Sequence, residues 1–272
     1  MAVDDFHNEF VLTDPQLNES DLERFSREGF LIAKRVFDES DLNQILPTVL
    51  EVFREYSPGS LDKDYRSWND SNLHTDMIGL REHHPEQFSS VFQSINQCLI
   101  LTSFLCGRRL EGLVERLLGD PWGTICLRAP GIRIDTPNDE RVGYDWHQDS
   151  AYSEINLSGK NSLVCWVPMQ HVDKENGSLI VCPQSHSLGR IMVKPTRESS
   201  LHAEQRKVPA EYVNRFPAVS VEADFGDAVF VHGDLIHKSG TNRSDRIRFT
   251  VVGRYHRTLA SDFFTRPDRD AT

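Results

Sequence analysis

A histidine placed two residues ahead of an acid can grip one metal ion from a single extended strand, because residues i and i+2 project from the same face. Seven such triplets occur in the chain, beginning at His7, His74, His84, His147, His171, His202 and His232. Joined by one further histidine, such a triplet offers two imidazoles and a carboxylate to one face of a metal. That donor set suits Fe(II) and leaves three positions for a bidentate 2-oxo acid and for O2. Zinc more often takes a closed site or three ligands of a tetrahedral one.

Context separates the seven. The triplets at His7, His74, His84 and His202 lie in polar or loop-like sequence and are expected to be solvated. His171-Val-Asp173 runs into Lys174-Glu-Asn-Gly177 and reads as a turn. Only His147-Gln-Asp149 ends an expected strand and opens a strand-rich half of the chain, with His237 at another strand end about ninety residues later. His232-Gly-Asp234 competes, and for it we favour a histidine packed in the core and hydrogen-bonded to backbone. A bound 2-oxo diacid would also need a fixed cation beyond the metal, for which a guanidinium is the natural bidentate partner. Arg248, eleven residues after His237, is the candidate, since Arg246, Arg248 and Thr250 share a face of the run Arg246 to Arg254. The competing reading of these arginines is a solvated strand face.

The elements that must hold these groups fall into two textures. Up to about residue 122 the spacing is helical. Ser20-Asp-Leu-Glu23 reads as a capping box opening a helix that leads into the strand-like run Phe30 to Ala33. Leu42, Ile45, Leu46, Val49, Leu50 and Phe53 predict a second helix with Pro47 as a kink. Periodicity continues from Ile95 to Cys106 and from Leu110 to Leu118, where Gly119 closes the run. Residues 57–88, rich in Pro, Gly, Ser, Asp and Asn, read as a long loop and candidate lid. From about residue 123 short strands alternate with turn residues: Thr124 to Ile134, Tyr144 to His147, Ser162 to Val167, Leu179 to Cys182, Ala228 to His232 and Arg246 to Arg254. We therefore expect one domain over 1–272, mainly β with flanking α, whose antiparallel core occupies 123–260 behind an N-terminal helical layer. The stretch 194–217 reads as an insertion folded over the mouth of a sandwich.

Composition limits the partners. A net charge of −11 and a pI near 5.4 argue against nucleic acid, which calls for a basic stripe. Five scattered cysteines, an odd number, suit free thiols in a reducing compartment. The first residues lack the apolar core of an export signal and no run of about 18 apolar residues occurs, so neither export nor a membrane span is expected. A cytoplasmic protein, monomer or homodimer, acting on a small molecule is the expectation.

Beyond these separate signals, several stretches together resemble the phytanoyl-CoA dioxygenase family: Phe25-Ser-Arg-Glu-Gly-Phe30, Trp146-His-Gln-Asp149, Glu175-Asn-Gly-Ser-Leu179, Pro183-Gln-Ser-His186 and the long run from Gly226 through His237 to Ser244. The resemblance implies a double-stranded β-helix, or jelly roll of the cupin-like kind, flanked by helices. It also implies oxidative decarboxylation of 2-oxoglutarate to succinate and CO2, coupled through O2 to attack on a substrate C–H bond. By motif, His147, Asp149 and His237 would bind Fe(II), and Ser239 and Arg248 would hold the 2-oxoglutarate carboxylate. Trp166 either lines the same pocket or packs in the core. Gln184 stands where the family often has glycine in its Pro-Gly-Ser-His turn. Related halogenases carry a small residue in place of the acid, so Asp149 points to hydroxylation or a related oxidation.

The substrate is open at this level, because one fold serves many chemistries. Arg133, Tyr144, Tyr152 and Asn161 are candidate contacts to a polar substrate. The missing basic patch favours a small polar metabolite over an acyl-CoA. Alternatives are a zinc-dependent cupin-like isomerase or hydrolase, a non-catalytic jelly-roll binding module, and an oxygenase that desaturates or epimerises.

Overall fold

Nine strands and eight helices carry the fold among residues 11–12, 17–139, 143–153, 155–195 and 205–263, which the computed structural model describes. The strands are β1 (Val11–Leu12), β2 (Phe30–Ala33), β3 (Ile125–Asp135), β4 (Ser162–Pro168), β5 (Leu179–Val181), β6 (Val219–Val221), β7 (Ala228–His232), β8 (His237–Ser239) and β9 (Arg248–Arg257). The helices are α1 (Glu19–Glu28), α2 (Glu39–Asn43), α3 (Leu46–Tyr56), α4 (Ser71–His83), α5 (Pro85–Ile95), α6 (Leu99–Leu105), α7 (Arg108–Leu118) and α8 (Ala210–Val213).

Strand alternation builds two cores. A six-stranded sheet in the order β1-β2-β7-β4-β9-β3 lies beside a three-stranded sheet in the order β6-β5-β8. Along the large sheet, Leu31, Cys165, Phe230, Phe249 and Val251 pack with the helices. Their neighbours Phe30, Ile32, Val164, Trp166, Val229 and Val252 pack instead with Leu179, Val181 and Val221 of the small sheet. A sheet buried on both faces reads as a continuous apolar run, and that is how β2, β4 and β7 read. Burial of each large apolar side chain stabilises by roughly 1.5–3 kcal/mol, so the helical layer is an integral part of the domain.

Local chemistry corrects several expected boundaries. The box that opens α1 is Asn18 and Asp21, each side chain accepting from the other's backbone N–H at 3.0 Å, so Ser20 lies inside the helix. Pro47 does not kink a long helix. The run divides into α2 and α3, with Pro47 in the first turn of α3, where a missing N–H costs nothing. Ile95 to Cys106 likewise divides into the end of α5 and the whole of α6. Gly119 does end α7, with φ +77°.

Residues 57–88 are not the long loop expected. They hold α4, capped by Asp70, whose side chain accepts from the Asn72 and Leu73 N–H groups. Leu73, Met77 and Leu80 bury one face of that helix, and Trp68 is fully buried before it. Polar composition concealed a helix whose apolar residues recur every three or four positions. Of the expected insertion at 194–217, residues 196–204 lie outside the described residues, and α8 occupies part of the rest. Tyr144 to His147 forms a single bridge, His147 to His237, in place of a strand.

Candidate metal centre and its cavity

His147 and His237 face each other across that bridge. The His147 N–H donates to the His237 carbonyl at 2.9 Å and the His237 N–H returns the bond at 3.0 Å. Their rings lie 4.2 Å apart between centroids. Each Nδ1 sits against a carbonyl, Asp145 at 2.7 Å and Leu235 at 2.9 Å. A carbonyl only accepts, so both Nδ1 atoms carry the proton and both Nε2 atoms keep a free lone pair. Asp149 closes the set, its Oδ2 lying 3.2 Å from His237 Nε2. One ligand atom from each of the three residues lies within 4.8 Å of the others, and all three residues are buried.

The loop bearing Asp149 is pinned from several sides. Gln148, 0% exposed, donates to the Gly189 and Asp234 carbonyls and accepts from the Ile191 N–H. The Ser150 N–H donates to the Gly233 carbonyl at 2.9 Å. Arg254 Nε donates to Asp149 Oδ1 at 2.7 Å, which leaves Oδ2 turned toward the histidines. Burial alone would raise the Asp149 carboxyl, yet Arg254 and His237 hold it well below the ordinary carboxylate range. Burial, with His237 second, presses His147 down to about 3, so it is a neutral ligand at physiological pH.

Two connected chambers meet at this centre. The narrower, of about 170 Å³, runs from the triad to Trp166, Ser239, Arg133 and Arg248. At its end Arg248, 2% exposed, donates through Nε (3.1 Å) and Nη2 (2.6 Å) to Asp135 Oδ2. Arg133 binds Asp135 Oδ1 at 2.7 Å and lies over the Tyr144 ring. Thr250, next on the same strand face, keeps a buried hydroxyl with no partner among the described residues. The wider chamber, of about 460 Å³, shares Tyr144, His147, Asp149 and Arg254 and extends to Arg128, Tyr152 and His256.

Of the residues singled out in the sequence, His147, Asp149, His237, Arg248, Ser239, Trp166, Arg133 and Tyr144 line the narrower chamber, and Tyr152 lines the wider one. Asn161 lines neither. It is buried and gives its amide to Asp262 at 2.8 Å, with Arg257 donating to its oxygen, so it braces the end of β9. His232 accepts the Asp234 N–H at its Nδ1 and lies against His186, a packing role apart from the metal centre. His74, expected to be solvated, is buried against Phe249 and accepts the Ile247 N–H. His84 and His171 are exposed as expected, while His7 and His202 lie outside the described residues. Sequence reasoning passed over Arg254 and Asp135. Their signals were there, since Arg254 is in phase with Arg248 on β9 and Asp135 with Arg133 on β3. Phe92 of α5 and Asn96 at its C-cap also line the narrower chamber, and nothing local announces that.

The profile of the phytanoyl-CoA dioxygenase (PhyH) family matches residues 25–250. The chain belongs to the phytanoyl-CoA dioxygenase family. It is 32% identical over 135 residues to the peroxisomal phytanoyl-CoA dioxygenase of Mus musculus, a match covering 47% of this chain and 39% of that protein. The chain thus matches only about two fifths of the mouse enzyme's length. It is 24% identical over 254 residues to the L-proline trans-4-hydroxylase of Streptomyces griseoviridis, covering 86% of this chain and 84% of that one. Among solved structures, a non-heme alpha ketoglutarate dependent carbocyclase from nogalamycin biosynthesis superposes with a TM-score of 0.59 at 19% identity, over 92% of this chain and 90% of the other. That likeness shows the fold, the jelly roll with flanking helices expected from the sequence. Gln184, the departure from the phytanoyl-CoA dioxygenase turn, takes the left-handed conformation glycine would adopt (φ +67°), anchored by hydrogen bonds to the backbone and side chain of Glu28.

Proposed function

We propose that this protein is an iron(II)- and 2-oxoglutarate-dependent oxygenase that hydroxylates an unactivated C–H bond of a small polar metabolite, releasing succinate and CO2. One observation carries the reading: the two Nε2 lone pairs and the Asp149 carboxylate converge at one end of a chamber whose other end is a buried arginine. Two imidazoles and one carboxylate fit Fe(II). His147, Asp149 and His237 would hold the metal, which when bound supplies the site where O2 and the 2-oxo acid meet. Arg254 orients Asp149 so that one oxygen serves as ligand. Arg248 and Ser239 would bind the distal carboxylate of 2-oxoglutarate, with Trp166 as a wall and the Thr250 hydroxyl as a further donor. A buried guanidinium is the group that a carboxylate in a water-poor chamber requires. A zinc isomerase or hydrolase would have no use for Arg248.

Five free cysteines and the acidic surface support a cytoplasmic location without a nucleic-acid partner. None of the described helices is long and apolar enough to cross a membrane.

Anaerobic titration of the metal-free protein with Fe(II) and then 2-oxoglutarate tests the reading. The weak visible metal-to-ligand band of a chelated 2-oxo acid should appear in the wild type, vanish in His237→Ala with loss of succinate release, and persist in His232→Ala. Zinc binding with no such band, or a band that survives His237→Ala, would reject it.

A further inference from the structure

The wider chamber carries a charge arrangement that the iron and 2-oxoglutarate reading does not use. Arg128 of β3 and Arg254 of β9 are directly opposed in the antiparallel register. Their side chains therefore share a face, with Cβ atoms about 5 Å apart in such a pair, where like charges destabilise a sheet. Between Arg128 and Gly131 the register shifts: three steps along β3 match two along β9. This bulge, with Ala129 at φ +44°, brings Arg128 into phase with Gly131, Arg133 and Asp135, so all face the cavity. Asn96 clamps it, accepting the Ile132 N–H at 2.7 Å and donating to the Ile132 carbonyl at 3.2 Å. Without the bulge Arg128 would turn to the opposite face, toward the helices.

Only part of this positive charge is answered among the described residues. Asp149 takes one bond from Arg254 Nε. Among the described residues, neither Nη of Arg254 has a hydrogen-bond partner, and the Arg128 side chain has no ion-pair or hydrogen-bond partner. Asp149, already committed to the metal centre, is the sole carboxylate among the described residues lining this chamber. Beside His147, the remaining walls among the described residues are Ala129, Tyr144, Tyr152, Ser153, Ile155 and His256. At about 460 Å³ the space lies in the lower part of the range for ligand pockets, which suits a small metabolite better than a carrier-bound one.

We propose that this chamber binds the substrate to be oxidised, and that it selects a small organic oxyanion, a carboxylate or a phosphonate, clamped between Arg128 and Arg254. The assignment rests on the oxygenase reading above and deepens it. The anion lies between two opposed guanidiniums and relieves their repulsion, which places the carbon skeleton against the tyrosines, beside the metal ligands. Arg248, buried and paired in the narrower chamber, stays with the co-substrate.

Cyclopentanecarboxylate, methylphosphonate and the neutral cyclopentanecarboxamide serve as probes. Their binding is read by calorimetry on metal-free protein, and by perturbation of the visible band of the anaerobic Fe(II) and 2-oxoglutarate complex. One or both anions should bind and the amide should not, and the tighter anion identifies the headgroup. Arg128→Gln should weaken the anion about tenfold to a hundredfold, with 2-oxoglutarate affinity of the same variant as internal reference, and Arg128→Lys should recover part of the loss. No anion binding to the wild type, equal binding of the amide, or an Arg128→Gln loss that falls on 2-oxoglutarate would each overturn the assignment. A missing band would reject the oxygenase reading instead, while the calorimetry still tests the anion pocket.

Discussion

The two ends of the cavity hold arginines in opposite ways. At the narrow end, Arg248 is buried and tied by two hydrogen bonds to Asp135, which also binds Arg133. At the wide end, the exposed Arg128 side chain has no ion-pair partner among the described residues and stands opposite Arg254. A buried cation must bring its counter-charge with it or lose several kcal/mol to desolvation, so the narrow end is pre-organised. An exposed one can wait in water for a ligand to arrive. On the proposed function, one end serves a constant co-substrate and the other the group that distinguishes the substrate.

The sharpest way to break this contrast is Asp135→Ala, which strands Arg248 as a buried charge. It should cost about 3–5 kcal/mol in urea unfolding and weaken 2-oxoglutarate binding. A cost under about 1 kcal/mol would mean that the pair does not hold the narrow end.

Acid should separate the ends next. Burial first, then Arg254, press His256 at the wide end from 6.5 down to about 4. The unfolded chain takes up that proton near pH 6.5 and the folded chain resists to about pH 4. Stability is therefore lost as pH falls through that window, by on the order of 3 kcal/mol in full. At the narrow end burial pushes the Asp135 carboxyl up, but Arg133 and Arg248 outweigh it and hold it below 3.8, so its contribution persists until the pH drops beneath that value. Hydrogen exchange followed from pH 7 to 4 should show the amides of 254–257 opening before those of 248–250. The reverse order would refute the assignment of causes.

The smallest effect is expected at the bulge between the ends. A Cβ on Gly131 would meet Asn96 Oδ1 at 2.5 Å. Gly131→Ala should cost about 1–3 kcal/mol by thermal unfolding and impair anion binding more than 2-oxoglutarate binding. Equal loss of both would show that the bulge does not set the phase of Arg128.

Much of this molecule is legible in its residues. The strand-rich second half with its apolar runs in β4 and β7, the turn residues between strands, and the three donors His147, Asp149 and His237 that the fold gathers at one point were legible in the chain. Errors fell where local rules compete. Pro47 can kink a helix or start one, and only the packing of α3 decides. His74 stands in polar sequence, yet its ring fills space beside Phe249, 173 residues before the backbone N–H it accepts. Asn161 looked free to meet a substrate and is held by Asp262 from the far end of the chain.

By itself the sequence determined the two-faced strands, the helical layer and the candidate donors His147, Asp149 and His237, because side-chain period and donor type are properties of the local chain. The tertiary structure decided the rest: that Arg254 orients Asp149, that Asp135 neutralises Arg248, and that one extra residue near Ala129 turns Arg128 into the cavity. The last two depend on register between β3 and β9, more than a hundred residues apart, and the first on where the loop bearing Asp149 meets β9; register is set where two faces of a sheet are buried at once.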